Sequence, residues 1–237
     1  MANATKASLE DIVNDAAKEF NLSAQAHLTL YLTARGVKPA ATVSPFIPKE
    51  IRYNDGNKEP IVYDDNEILA KAGKFWKVLT NDLGLKSKIV SSGAIKRTVN
   101  GRTTKYIGFD FNTSKREGDF NRLMDSDGKD EHGSVYGYPA SAVSAFNKDV
   151  GGYRWDSVHA ESLLKPVLGR NPEKHLEQAY LMWVPASVNP ETGEIDSESK
   201  NLCIKYREIV RHDNPYLADR LERHFINHYS KPDTGCA

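Results

Sequence analysis

The chain has 237 residues, 39% of them hydrophobic, with Lys plus Arg and Asp plus Glu each totalling 32. That length and apolar content suffice for a buried core, which argues against a disordered chain. The even balance excludes a global field of either sign that would draw the protein to nucleic acid or an anionic membrane, so any electrostatic function must be local.

The two cysteines, Cys203 and Cys236, are too few for a secreted disulfide framework and lack the paired spacing of a structural zinc site, so a cytoplasmic location is expected. Residues 1–19 lack the apolar core of a secretory signal, and no stretch approaches the roughly 18 apolar residues of a membrane span. No membrane partner is expected.

In chain order, Ser8 followed by Asp11, with Leu9, Ile12, Val13, Ala16 and Phe20 at helical spacing, predicts a capped amphipathic helix. A second helix is expected over about 23–36, stopped by Gly36 and Pro39. Residues 39–60, with Pro45, Pro48, Asn54, Asp55 and Gly56, read as an irregular connection. Ile68, Leu69, Ala72, Phe75, Trp76, Leu79 and Leu83 form one apolar stripe over about 66–83, read as core, and Gly84 ends it. Residues 86–111 are rich in Ile, Val, Thr, Tyr and Phe around Asn100-Gly101, the pair a type I′ hairpin turn requires.

The next stretch, through 116–119 and 125–133, reads as acidic and turn-rich. Pro139 then opens a short helix ending near Phe146, Gly151-Gly152 marks a break, and a helix is expected over about 156–164. Asn171-Pro172 starts a helix that runs into a strand-like segment at 179–184. A helix beginning near Ser197 or Ser199 breaks at Asn214-Pro215, and a last one covers about 216–228. Helices around a hairpin, without regular βαβ alternation, predict an α+β fold in which helices pack on a small, mostly antiparallel sheet that includes a basic hairpin. One domain over 1–237 is expected, with a subdivision near 112–133 as the alternative.

Three features bear on chemistry. Between residues 85 and 109 stand Lys86, Lys88, Lys96, Arg97, Arg102 and Lys105 with no acidic residue among them. A two-residue loop puts Lys96 across from Lys105, a like-charge pair that costs stability unless water or an anion screens it. Lys96, Arg97, Arg102 and Lys105 are therefore candidates for a phosphate or nucleic-acid backbone, while the structural alternative is that lysines keep an exposed sheet edge from pairing with other chains.

His224 and His228 share a helix face at a zinc-capable spacing but lack the H-E-x-x-H order, and surface histidines favoured by the helix dipole are the simpler reading. No metal site is assigned. The acidic loop 125–131 lacks the glycine and glutamate positions of a calcium loop. Phosphate-binding loops, dinucleotide fingerprints and nucleophile elbows are absent, so no cofactor is implied.

The segments His-Gly-Ser-Val-Tyr-Gly-Tyr-Pro-Ala-Ser-Ala-Val-Ser-Ala-Phe at 132–146, Tyr-Leu-Met-Trp-Val-Pro-Ala-Ser at 180–187, Lys-Tyr-Arg-Glu-Ile-Val at 205–210 and Asn-Pro-Tyr-Leu at 214–217 carry a resemblance. Together they resemble an uncharacterised, largely archaeal domain-of-unknown-function family with a Gly-Tyr-Pro segment followed by cysteines, a Trp-x-Pro-Cys-Ser segment, and a helix with a Lys-Tyr pair and a nearby proline. The resemblance covers roughly the second half of the chain. Ala140, Ser141 and Ala186 stand where that family places cysteines, so it implies a shared scaffold without thiol chemistry.

The residues of those segments also define a pocket expectation, since helix N-termini and strand ends gather N–H groups that hold anions. Tyr136, Tyr138 and Trp183 would supply flat walls, Ser141 and Ser187 hydrogen bonds, and Arg116 or Arg122 the grip on a small anionic or nucleotide-like ligand. If the site catalyses, His132, His159 and Glu161 are the candidates for acid or base work. The alternative function is a nucleic-acid-binding or protein-interaction module that uses the basic hairpin without catalysis.

Overall fold

Ser8 and Asp11 cap the first helix reciprocally. The Ser8 Oγ accepts from the Asp11 backbone N–H at 3.1 Å, and the Asp11 carboxylate accepts from the Ser8 N–H at 3.4 Å, opening α1 (Leu9–Glu19). The computed structural model describes residues 7–45, 65–99, 102–126, 132–146, 149–150, 153–154 and 157–230. It divides into two compact units, Met1–Asp125 and Ser126–Ala237, at a point inside the 112–133 stretch. The architecture is α+β, a small three-stranded antiparallel sheet among many helices. Among the described residues, no helix is long and apolar enough to cross a membrane.

In the first unit, α2 (Ala24–Ala34) starts at the cap Ser23, whose Oγ accepts from the Ala26 N–H at 3.0 Å. Buried residues such as Leu28, Leu30, Tyr31 and Leu32 lie on several sides of it, as a central helix requires. Gly36, at φ +78°, ends the segment in the left-handed region that favours glycine. The following residues depart from the expected irregular connection: β1 (Ala40–Val43) is a strand. Four small residues beside prolines carry too weak a β signal to be read alone, and the strand exists because it has a partner. Residues 46–64 lie outside the described residues.

Helix α3 (Asp65–Lys77) passes into a π-helical turn (Val78–Asp82), closed by Leu83 N–H to the Val78 carbonyl at 3.0 Å. Its stripe divides. Ala72, Phe75, Leu79 and Leu83 are buried, with Phe75 set edge-on between Phe20 and Phe111 at centroid distances of 4.9 and 5.2 Å. Leu69 and Trp76, read as core, are exposed. At about 100° per residue they lie on one margin of the stripe, beside the buried positions Ala72, Phe75, Leu79 and Leu83.

The hairpin forms as expected, over β2 (Lys86–Val99) and β3 (Arg102–Ser114), in the strand order β1-β3-β2. Its turn, Asn100-Gly101, lies outside the described residues. The stretch expected as turn-rich through 116–119 and 125–133 instead contains helix α4 (Glu117–Asp125), which buries Leu123 and starts with Glu117 and Asp119 in its first turn. The acidic residues that suggested a loop stabilise a helix N-terminus through its dipole.

The second unit contains α5 (His132–Val135), α6 (Ala140–Ala145), a pair of two-residue strands β4 (Asp149–Val150) and β5 (Tyr153–Arg154), and α7 (Ser157–Leu168). A 3-10 segment (Pro172–Tyr180) precedes α8 (Ser197–Asp213) and α9 (Pro215–Tyr229). The strand expected at 179–184 does not form. Ala179 and Tyr180 are buried at the end of the 3-10 segment, which packs against α8 and α9, so helices cover the apolar run in place of a sheet. Asn214 caps α9 with its side chain on the Leu217 N–H at 3.1 Å, and Pro215 takes the first position, where it loses no hydrogen bond.

Candidate functional site

The second unit brings together several residues of the expected pocket. Tyr136 and Tyr138 stack at 5.6 Å between centroids, Tyr138 lies 5.7 Å from Trp183, and Trp183 meets Tyr206 edge-on at 6.2 Å. Burial, then the nearby Tyr136, push the Tyr138 hydroxyl up to about 12, and burial raises Tyr206 similarly. These phenols stay neutral at physiological pH.

The polar groups beside the rings are carboxylates of the chain itself. Glu198 Oε2 accepts from the Ser141 N–H at 3.0 Å, at the start of α6, where an anionic ligand was expected. Asp196 Oδ1 accepts from the Ser199 N–H at 2.9 Å and the Ser141 hydroxyl at 3.3 Å, while its Oδ2 accepts from the Ala186 N–H at 2.7 Å. The Trp183 indole donates to Ser199 Oγ at 2.9 Å. Hydrogen bonds from Ser141 hold the Glu198 carboxyl below the usual range. Ala140, Ser141 and Ala186 thus meet around two carboxylates, while Ser187 is exposed and uses its backbone carbonyl to accept from the Asp196 N–H.

Arg116 and Arg122 belong to the first unit, both exposed, with Arg122 4.0 Å from Asp119. His159 and Glu161, two apart on α7, do not face one another. Glu161 instead lies 3.0 Å from His228 Nε2 on α9, and His224 stacks on His228 at 6.5 Å. The side chain of His132 lies outside the described residues. Among the described residues, no group of three His, Cys, Asp or Glu can hold a metal ion.

The first unit carries the basic ribbon. β1 pairs with β3 only from Ala40↔Ser114 to Val43↔Phe111, whereas β2 and β3 stay paired from Lys86↔Ser114 to Val99↔Arg102. Among the described strands, β2 and β3 run on without a third from Ser91↔Asp110 to Val99↔Arg102, a two-stranded ribbon about 30 Å long. Lys96 pairs with Lys105 as expected, Arg97 sits opposite Thr104, and Val99 opposite Arg102, so all four cations fall on the distal register positions. A bulge between Ile89 and Ser91 marks the exit from the sheet, and Gly93 pairs with Gly108 just beyond it.

Sequence reasoning missed Asp196 and Glu198, since neither stands in a recognisable motif; the signal available was Asp196 three residues before Ser199, a helix-capping spacing. It also missed the exposure of Trp76, which its place in an apolar stripe concealed. Compared with known proteins, the chain matches no family model, no curated protein and no solved structure.

Proposed function

We propose that this is a cytoplasmic binding protein that engages the phosphate backbone of nucleic acid with the distal end of the β2–β3 ribbon. The observation that carries this reading is the placement of Lys96, Arg97, Arg102 and Lys105 on the register positions beyond the reach of β1, with no acidic residue between 85 and 109. Lys96 and Lys105 occupy directly opposite register positions, where like charges are destabilising, and a phosphate backbone relieves that. With about four phosphate contacts, log affinity should fall against log salt with a slope of about −3 to −4. Fluorescence anisotropy with labelled oligonucleotides across a salt series tests it; a flat titration, or no binding at low salt, removes it.

A second reading places a small ligand with a flat ring against Tyr136, Tyr138 and Trp183. It rests on their half-buried rings lying in one run. Asp196 and Glu198 put negative charge beside that run, which turns its preference from anionic ligands toward neutral or cationic ones. A thermal-shift panel of nucleosides, nucleotides and cationic metabolites tests it, since a ligand of the folded state raises the melting temperature. No shift with any neutral or cationic ring compound discards this reading.

A further inference from the structure

We propose that the apolar patch at the root of the ribbon, centred on Trp76, is a stacking platform for an unpaired base, so that the nucleic acid bound is single-stranded or locally opened. This rests on the ribbon reading and specifies its substrate class.

The exposed large hydrophobic residues of the first unit are, among the described residues, Leu69, Trp76, Ile89 and Val90, at 58, 42, 44 and 42% exposure. All four lie on α3 or at the start of β2, the strand that carries half of the ribbon. Scattered apolar residues need no explanation, but these four fall on one helix and on the strand segment that the Trp76–Ser87 hydrogen bond joins to it, and apolar residues gathered on adjoining elements mark an interaction surface.

The grouping has a structural cause in each case. Leu69 precedes Trp76 by two helical turns on the same stripe of α3. The Trp76 indole N–H donates to the Ser87 carbonyl at 3.2 Å, which fixes the ring against β2 while its neighbour Phe75 takes the core position. Ile89 is two residues beyond Ser87. The bulge then leaves Val90 without a cross-strand partner, and two consecutive strand residues face solvent where alternation would send one inward.

Two occupants compete for such a surface on an outer strand, a second copy of this chain and a nucleic acid. Strand addition is opposed by the bulge and by Lys86 and Lys88, devices that protect sheet edges. Local charge favours a polyanion: Lys77 and Lys88 are exposed on the elements that carry the patch, while Lys86 lies 3.8 Å from Glu117, and no acidic residue follows Asp82 in the sequence until Asp110. A backbone held by the ribbon would bring a base to Trp76, and stacking on an aromatic ring is available to any base that is not paired.

The test compares labelled oligothymidine, a duplex of the same length and heparin by anisotropy on the full chain, using wild type, Trp76→Leu and Trp76→Phe. The expected result is tighter binding of oligothymidine than of duplex, a loss of about tenfold or more for oligothymidine in Trp76→Leu, near-wild-type binding in Trp76→Phe, and unchanged heparin binding in both variants. Equal losses for oligothymidine and heparin, or no loss for either, overturn the base platform while leaving the ribbon reading in place. Absence of any polyanion binding at low salt overturns both. A wild-type dimer that sediments as a monomer in Trp76→Leu assigns the patch to a second copy and overturns the platform. Thermal melts of each variant confirm folding, and Trp76→Phe keeps the test valid if Trp76→Leu does not fold.

Discussion

Lys38 is 1% exposed, and its Nζ donates to the Ala40 carbonyl at 2.7 Å. Burial lowers its pKa from the ordinary lysine value to about 7. The unfolded chain holds this proton up to the ordinary value, so unfolding takes one up between the two, and stability rises with pH across that window. The expected slope approaches about 1.4 kcal/mol per pH unit above neutrality and vanishes below the folded value. Denaturant unfolding from about pH 7 to about pH 9 should show that rise in wild type and lose it in Lys38→Met; an equal slope in both contradicts the assignment. Cys203 is likewise buried, and desolvation, then the charges of Glu177 and Asp196, push its thiol well above the ordinary range. In a Cys236→Ser background it should resist alkylation in the native protein and react once unfolded. Asp196 caps α8 while receiving the Ser141 hydroxyl and the Ala186 N–H. Asp196→Ala should cost about 2 kcal/mol in denaturant unfolding, and a neutral result would show the three bonds to be dispensable.

At the scale of elements, what was legible in the sequence is what local chemistry decides. Ser8 with Asp11, Ser23, Gly36, Gly84 and Asn214-Pro215 mark helix ends because caps and breakers act on their own neighbours. β1 was illegible because its identity as a strand comes from β3, and the 179–184 run misled because an apolar run without alternation looks the same under a sheet or under helices. The site divides along the same line. The Lys96↔Lys105 register followed from Asn100-Gly101, and the nearness of Tyr138 to Trp183 was expected from their segments, but the carboxylates that fill the anion position come from α8 and its cap. The ribbon's independence of β1 makes a separate expectation. Shortening it between Ala94 and Ile107 to a tight turn should abolish polyanion binding while leaving the first unit's melting transition within a few degrees, because the core residues Phe20, Phe75, Leu79 and Phe111 lie outside the deleted segment. Loss of the transition would show that the ribbon is part of the folding unit.

At the scale of the whole molecule, each unit has its own buried set, Leu28, Tyr31, Phe75 and Phe111 in the first and Tyr180, Cys203, Val210, Leu217 and Leu221 in the second. In the second, Glu222 joins the 3-10 segment, α8 and α9. It accepts from Arg207 at 3.0 Å and from Arg211 at 2.9 and 2.7 Å, with the Tyr180 hydroxyl at 3.3 Å. Burial pushes its carboxyl up, but the hydrogen bonds and charges of the two arginines outweigh that and hold it below the ordinary range. Fragments 1–125 and 126–237 should therefore each unfold cooperatively, as circular dichroism melts would show; a fragment without a transition would mean that its core depends on the other. The zero net charge of the chain hid the local basicity of the ribbon, since a balance taken over all residues averages away a stretch that contains no acid.

The most direct measurement is the salt dependence of oligonucleotide binding by wild type and by a variant carrying Gln at Lys96, Arg97, Arg102 and Lys105. Wild type should give a log–log slope of about −3 to −4, and the variant should lose most of both affinity and slope. Equal slopes in the two proteins would contradict the assignment of the ribbon as the nucleic-acid interface.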